Sequence, residues 1–199
     1  MRAVRLWHGH YLSIVGRMNE AVAEVKRAQA LDPLSPVCSA NVGFTLYLAH
    51  DLDRSADELR RVLARDPDNG TALFYLGYTL LDAGRHAEAA DVLRKAREVT
   101  HGMPWSAEGA ALAQALAGDR DQALGALADA RARAAAGYVP SSAFALIHLG
   151  LGDDQMVFDW LERGVDERDA LLPWLKFMPC FDRLHRDQRF RSILARLGL

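Results

Sequence analysis

The chain has 199 residues, half of them hydrophobic, and a formal net charge of −2. That is enough apolar material for one buried core or one array of small units. The near-neutral charge gives no overall pull towards nucleic acid or membrane, and no apolar run approaches the ~20 residues that span a bilayer.

The first residues, "MRAVRLW", lack the apolar segment and small-residue cleavage site of a signal peptide. Cys38 and Cys180 lie far apart and form no disulfide framework. Both features lead us to expect a soluble cytoplasmic protein. Strand-like alternation is nearly absent, whereas Ala, Leu, Arg and Glu abound, so the expectation is all-α.

Near the start stands His8-Gly9-His10. Stepping by 34 from Gly9 reaches Gly43, Gly77, Ala111 and Ala145, all small. A large apolar position runs in phase at Val25, Leu59, Leu93, Leu127 and Leu161. A turn position reads Gly16, His50, Gly84, Gly118 and Gly152. Such a period marks a repeat array. Each unit has two apolar-periodic segments around a break, as in "ALFYLGYTLLDAGRHAEAADVLRKAREV". Gly84 in that break fits a left-handed helix C-terminus. Each unit therefore predicts an antiparallel pair, helix A then helix B. The small residue of helix A admits close approach, and a large residue such as Leu93 fills the space opposite. Pro33 and Pro67 end two of the B helices.

After the fifth unit the period stops at Pro179. Asp187 is a suitable N-cap for a last helix of about Gln188 to Leu197, with Phe190, Ile193, Leu194 and Leu197 on one face. Such a helix would close the array with a polar outer side.

These residues resemble the tetratricopeptide repeat over about 2–169. The units are 2–35, 36–69 and 70–103, then the degenerate 104–137 and 138–171, with a C-terminal cap at 172–199; the whole of 1–199 is one array. The resemblance implies a right-handed superhelical solenoid of about five antiparallel helix pairs, whose A helices line a concave groove that binds peptides. It places His10, Phe44, Phe74 and Tyr78 on the groove, with Asn41 at a position that clamps peptide carboxylates in one subclass. Tyr47 and Trp105 lie close enough to contribute. Some of these aromatics also suit an interhelical core.

The tail "FDRLHRDQRFRSILARLGL" resembles the segment that follows such arrays in larger bacterial regulatory proteins. The chain starts almost inside the first helix A, with no N-cap before Ala3, so we expect a C-terminal piece of something larger. The open end exposes an apolar face that favours self-association.

No phosphate loop, metalloprotease or hydrolase motif is present, so the expectation is a non-enzymatic protein without cofactor. Asp153-Asp154 and Asp166-Glu167-Arg168-Asp169 fall at expected helix ends, where carboxylates cap or solvate. Residues two apart on a helix point ~200° apart, so His8 and His10 cannot share a metal ion. Cys180 and His185 lack the further ligands zinc needs. Basic residues are dispersed, which argues against direct nucleic-acid binding. The function expected is a scaffold that binds a peptide or partner domain. The alternative is the signal-receiving half of a bacterial transcription regulator or signalling enzyme.

Overall fold

The computed structural model describes residues 2–101 and 105–199, without the side chain of residue 2. The expected boundary between the third and fourth repeats, 103/104, lies outside the described residues. The described chain is helical throughout, in five antiparallel pairs. The pairs are α1 (Arg2–Ile14) with α2 (Met18–Leu31), α3 (Pro36–Leu48) with α4 (Leu52–Arg65), and α5 (Gly70–Asp82) with α6 (His86–Val99). Next come α7 (Ser106–Leu116) with α8 (Arg120–Ala136) and α9 (Ser141–Leu151) with α10 (Asp154–Glu167). Two 3-10 turns, Leu172–Phe177 and Pro179–Leu184, lead to α11 (Gln188–Arg196).

The turn inside each pair is made the same way. Gly16, His50, Gly84, Gly118 and Gly152 all have positive φ, between 60° and 96°. In each case the next amide donates back to the carbonyl five residues earlier, as from Arg85 to Leu80 at 2.9 Å and from Asp51 to Leu46 at 2.9 Å. This hydrogen bond satisfies a carbonyl orphaned at the helix end and reverses the chain. His50 adopts the conformation without being glycine.

Close approach within a pair rests on the small residue of helix A. A Cβ built on Gly43 would lie 2.5 Å from Leu59 Cγ, and one on Gly9 2.6 Å from Val25 Cγ1. Gly77 meets Leu93 in the same way. Successive A helices then lie side by side, α1 on α3, α3 on α5, α5 on α7 and α7 on α9, forming a concave wall. The architecture is an all-α solenoid of five helix pairs with a C-terminal capping helix.

The cap holds a feature the periodicity does not reveal. Arg168 is left-handed (φ 57°) and ends α10. Buried Asp169 then accepts from the backbone of Ser142 at 2.9 Å and of Leu171 at 3.0 Å. These bonds turn the chain back across the concave wall. The first 3-10 turn reaches α1 and the second reaches α5. We call residues 171–184 the strap. Its Leu172, Leu175, Met178, Phe181 and Leu184 are each at most 5% exposed and belong to the main core with Leu112, Leu146 and Phe190. At about 1.5–3 kcal/mol per large apolar side chain, their burial is worth on the order of 10 kcal/mol as an upper value. Net domain stabilities are of similar size. The strap is therefore part of the core and not a loosely held ligand.

Beyond the strap, Asp187 caps α11, accepting from the Arg189 amide at 2.7 Å. Arg189 lies over the Phe158 ring and donates to Asp159 and Glu162 of α10. Phe190 and Ile193 supply the buried face. Among the described residues no helix is long and apolar enough to cross a membrane.

Candidate functional site

The concave wall is aromatic where α1, α3 and α5 meet. Phe44 of α3 stacks on Tyr75 of α5, with ring centroids 4.4 Å apart. Trp174 of the strap meets Phe44 at 5.4 Å and His10 of α1 at 6.1 Å, both edge to face. Phe74 lies 5.1 Å from Tyr78. Offset and edge contacts of this kind are favourable aromatic geometries. The strap covers the groove that the repeat pattern leaves open. It does not fill it: a cavity of about 290 Å³ remains between strap and wall, lined by Phe44, Phe74, Tyr75, Trp105 and Trp174 among others.

The residues singled out in the sequence occupy two different layers. His10, Phe44 and Phe74 are half-buried at the cavity. Tyr47, Tyr78 and Trp105 are buried yet still border the cavity, and Asn41 is buried behind His10. Asn41 donates to the Val37 carbonyl at 2.8 Å, which orients its own oxygen to His10 Nε2 at 2.6 Å. His10 must then carry its proton on Nε2. Burial lowers the His10 pKa, and the Asn41 bond opposes this only in part, so the ring stays neutral at pH 7. Tyr78 donates to the Trp105 carbonyl at 3.1 Å and packs on Gly109, where a Cβ would lie 2.8 Å from its hydroxyl oxygen. Trp105, left-handed at φ 69°, donates from its indole to Ser142 at 3.0 Å.

Tyr75, Leu171, Trp174 and Met178 complete the lining and escaped the repeat arithmetic. Tyr75 is one residue from Phe74, and two adjacent helical residues rarely share a face. The strap residues lie beyond the last repeat. The usable signal was Pro173 and Pro179, which bar a continuous helix there.

At the back of the site Tyr47 donates to Asp82 at 2.8 Å. Burial, reinforced by Asp182, raises the Asp82 pKa from 3.8 to about 7, against the lowering effect of bonds from Tyr47 and the Cys180 amide. Between those two pH values the folded chain binds more protons than the unfolded chain. Stability should therefore fall as pH rises from about 4 to about 7 and level off above. Asp82→Asn retains an oxygen to accept from Tyr47 and removes the buried charge. We expect it to be about 1–3 kcal/mol more stable than wild type at pH 8 and nearly equal at pH 4. Urea denaturation at the two pH values measures this; an equal change at both would show that charge is not the cause.

The remaining candidates have structural employment. His8 approaches Glu24 (3.8 Å) while His10 turns to Asn41, so the pair diverges. Asp153 caps α10 by accepting from Met156 at 3.3 Å. Asp154 pairs with Arg183, Asp166 with Arg196, and Glu167 accepts from Ser141 and Arg163. His185 stacks on Phe190, away from any ligand cluster. Among the described residues no group of three or more His, Cys, Asp or Glu could hold a metal ion.

One further surface adjoins the cavity. Val4, Trp7 and Tyr11 are exposed along one side of α1, Trp7 at 73%, with exposed Val15 just past its end. The Trp7 ring meets His10 edge to face at 5.9 Å.

Residues 46–101, from the end of α3 through α6, match the sequence profile of the tetratricopeptide repeat. A thermophilic tetratricopeptide-repeat protein of Thermus thermophilus superposes with a TM-score of 0.67 at 20% identity, over 100% of both chains. A tetratricopeptide-repeat protein of Parabacteroides merdae gives 0.64 at 12% identity, over 100% of this chain and 84% of that one. A variant of MamA gives 0.55 at 20% identity, over 88% and 94%. A comparison with curated proteins yields no match. The profile match over residues 46–101 falls where the 34-residue period is clearest, and these likenesses show that the five helix pairs share the fold of tetratricopeptide-repeat proteins.

Proposed function

We propose that the chain is a protein–protein interaction scaffold that docks its partner on the concave side, along an aromatic strip. The strip runs from Trp7 over His10 to Phe44 and Trp174 at the cavity mouth. Tetratricopeptide folds serve such scaffolding in general. The observation that carries the location is Trp7, 73% exposed and in ring contact with a residue of the site. Soluble chains rarely leave a tryptophan so open within an apolar stripe unless something covers it. Tryptophan is also enriched among residues that dominate binding energy. Asn41, Tyr47, Tyr78 and Trp105 support the strip from behind.

Photo-crosslinking in the native host tests the placement, with the reactive group at Tyr11 or at Arg61 on the exposed side of α4. The partner should be captured from Tyr11 and not from Arg61. With that partner purified, Trp7→Ala should weaken binding by at least tenfold, the effect of a dominant contact. Thermal stability should stay unchanged, because so exposed a side chain supports no core. Capture from Arg61, or full affinity in Trp7→Ala, would overturn the reading. Sedimentation of the chain alone decides whether the partner is a second copy. In that case a dimer forms and Trp7→Ala returns it to monomer.

A further inference from the structure

The space left between strap and wall has its own chemistry, independent of any protein partner. Its volume of about 290 Å³ lies at the lower edge of small-molecule sites, and is roughly twice that of a cavity known to take benzene. No Asp, Glu, Lys or Arg lines it. His10, the one basic residue there, has its Nε2 proton committed to Asn41. Two donors on the lining are idle: neither the Tyr75 hydroxyl nor the Trp174 indole N–H has a hydrogen-bond partner among the described residues. They sit on opposite sides, one on α5 and one on the strap. Burial raises the Tyr75 pKa to about 12, so it stays a neutral donor. Neither donor is sealed from solvent, so an arriving acceptor takes the place of water there.

We propose that this cavity binds a small, uncharged ring compound carrying one hydrogen-bond acceptor. An extended peptide does not fit the chemistry. Its backbone would bring several N–H and C=O groups, and each needs a partner that this lining lacks. An ion fits no better, since no opposite charge stands ready. A cation would need open ring faces. The Phe44 faces are taken up by stacking on Tyr75 at 4.4 Å and on Tyr47 at 6.4 Å.

The test uses the full chain, isotope-labelled, and follows its four tryptophan indole N–H signals by NMR. The probes are acetophenone (a ring with one acceptor), toluene (a ring with none) and tetramethylammonium (a cation). Acetophenone should shift the Trp174 and Trp105 signals saturably and leave Trp160, stacked on Phe144 elsewhere, in place. Tyr75→Phe should weaken acetophenone about three- to tenfold, the range for one lost hydrogen bond, and leave toluene unchanged. The toluene titration also reports that the cavity persists in the variant. The proposal falls if neither ring compound saturates, if the shifts centre on Trp160, if Tyr75→Phe affects both rings alike, or if only tetramethylammonium binds. None of these outcomes bears on the partner surface, which is read through Trp7.

Discussion

Replacing Phe181 by Ala should destabilise the whole array by about 3–5 kcal/mol, the cost of emptying a large aromatic site in a packed core. Phe181 lies in the strap, which by position is a tail. A tail draped on a finished solenoid would tolerate the change, since trimming peripheral side chains moves stability by about 0.5 kcal/mol or less. Phe181 is instead 1% exposed and lies 6.2 Å from the Phe190 ring, in the core that runs through the A helices. The cavity left by truncation cannot be refilled locally, because Pro173 in the first 3-10 turn and Pro179 at the start of the second limit how far the strap can shift. Urea denaturation followed by circular dichroism measures the effect. A loss below about 1 kcal/mol would make the strap peripheral and return the groove to an open state.

Gly77→Ala should give opposite results in two backgrounds. In the native chain the added methyl collides with Leu93, at its branching Cγ as well as its tips. Leu93 is fully buried, so the collision is relieved only by shifting α6 away from α5. Overpacking of this kind costs about 1–3 kcal/mol, more than the ~1 kcal/mol that alanine gains over glycine in a helix interior. Leu93→Ala alone should cost about 2–5 kcal/mol by leaving a cavity. In that background Gly77→Ala places its methyl in empty space, so the helix-propensity gain prevails and the change becomes stabilising. Four denaturation curves complete the cycle. Simple additivity would show that Gly77 and Leu93 do not touch.

That pair also shows what the sequence could reveal. Gly77 and Leu93 recur with their equivalents at a fixed interval, and a recurring small–large pair is a local contact within one unit. The turn position is local too, and even His50, which breaks the glycine pattern, keeps the left-handed conformation. The fold was therefore legible from spacing. The site was legible only in part. Phe44 and Tyr78 hold the same repeat position and both border the cavity, yet Phe44 is half-buried while Tyr78 is buried against Gly109 of α7. Nothing in the Tyr78 repeat distinguishes them; the clue was a glycine in the next one. The strap was harder to see. Its contacts join residues from opposite ends of the chain, and its apolar residues follow no helical period. Prolines in the tail tell where it cannot be helical, not where it goes.

The contact between Trp174 and His10 has a consequence for how the array comes apart and how it could change in length. In an ordinary stack each unit touches only its neighbours, so the ends melt first and units can be added or lost. Here the strap that follows the fifth pair leans on α1 of the first. Fraying α1 strips a wall from the strap, and releasing the strap uncovers α1, so these two distant segments lose order together and the pairs between them unfold as a closed ring would. The same closure counts the repeats. A duplicated or deleted helix pair would alter the span the strap must cross, carrying Trp174 past His10 or leaving it short. The number of units between α1 and the strap, free to drift in an open solenoid, is matched to the fourteen residues lying across them.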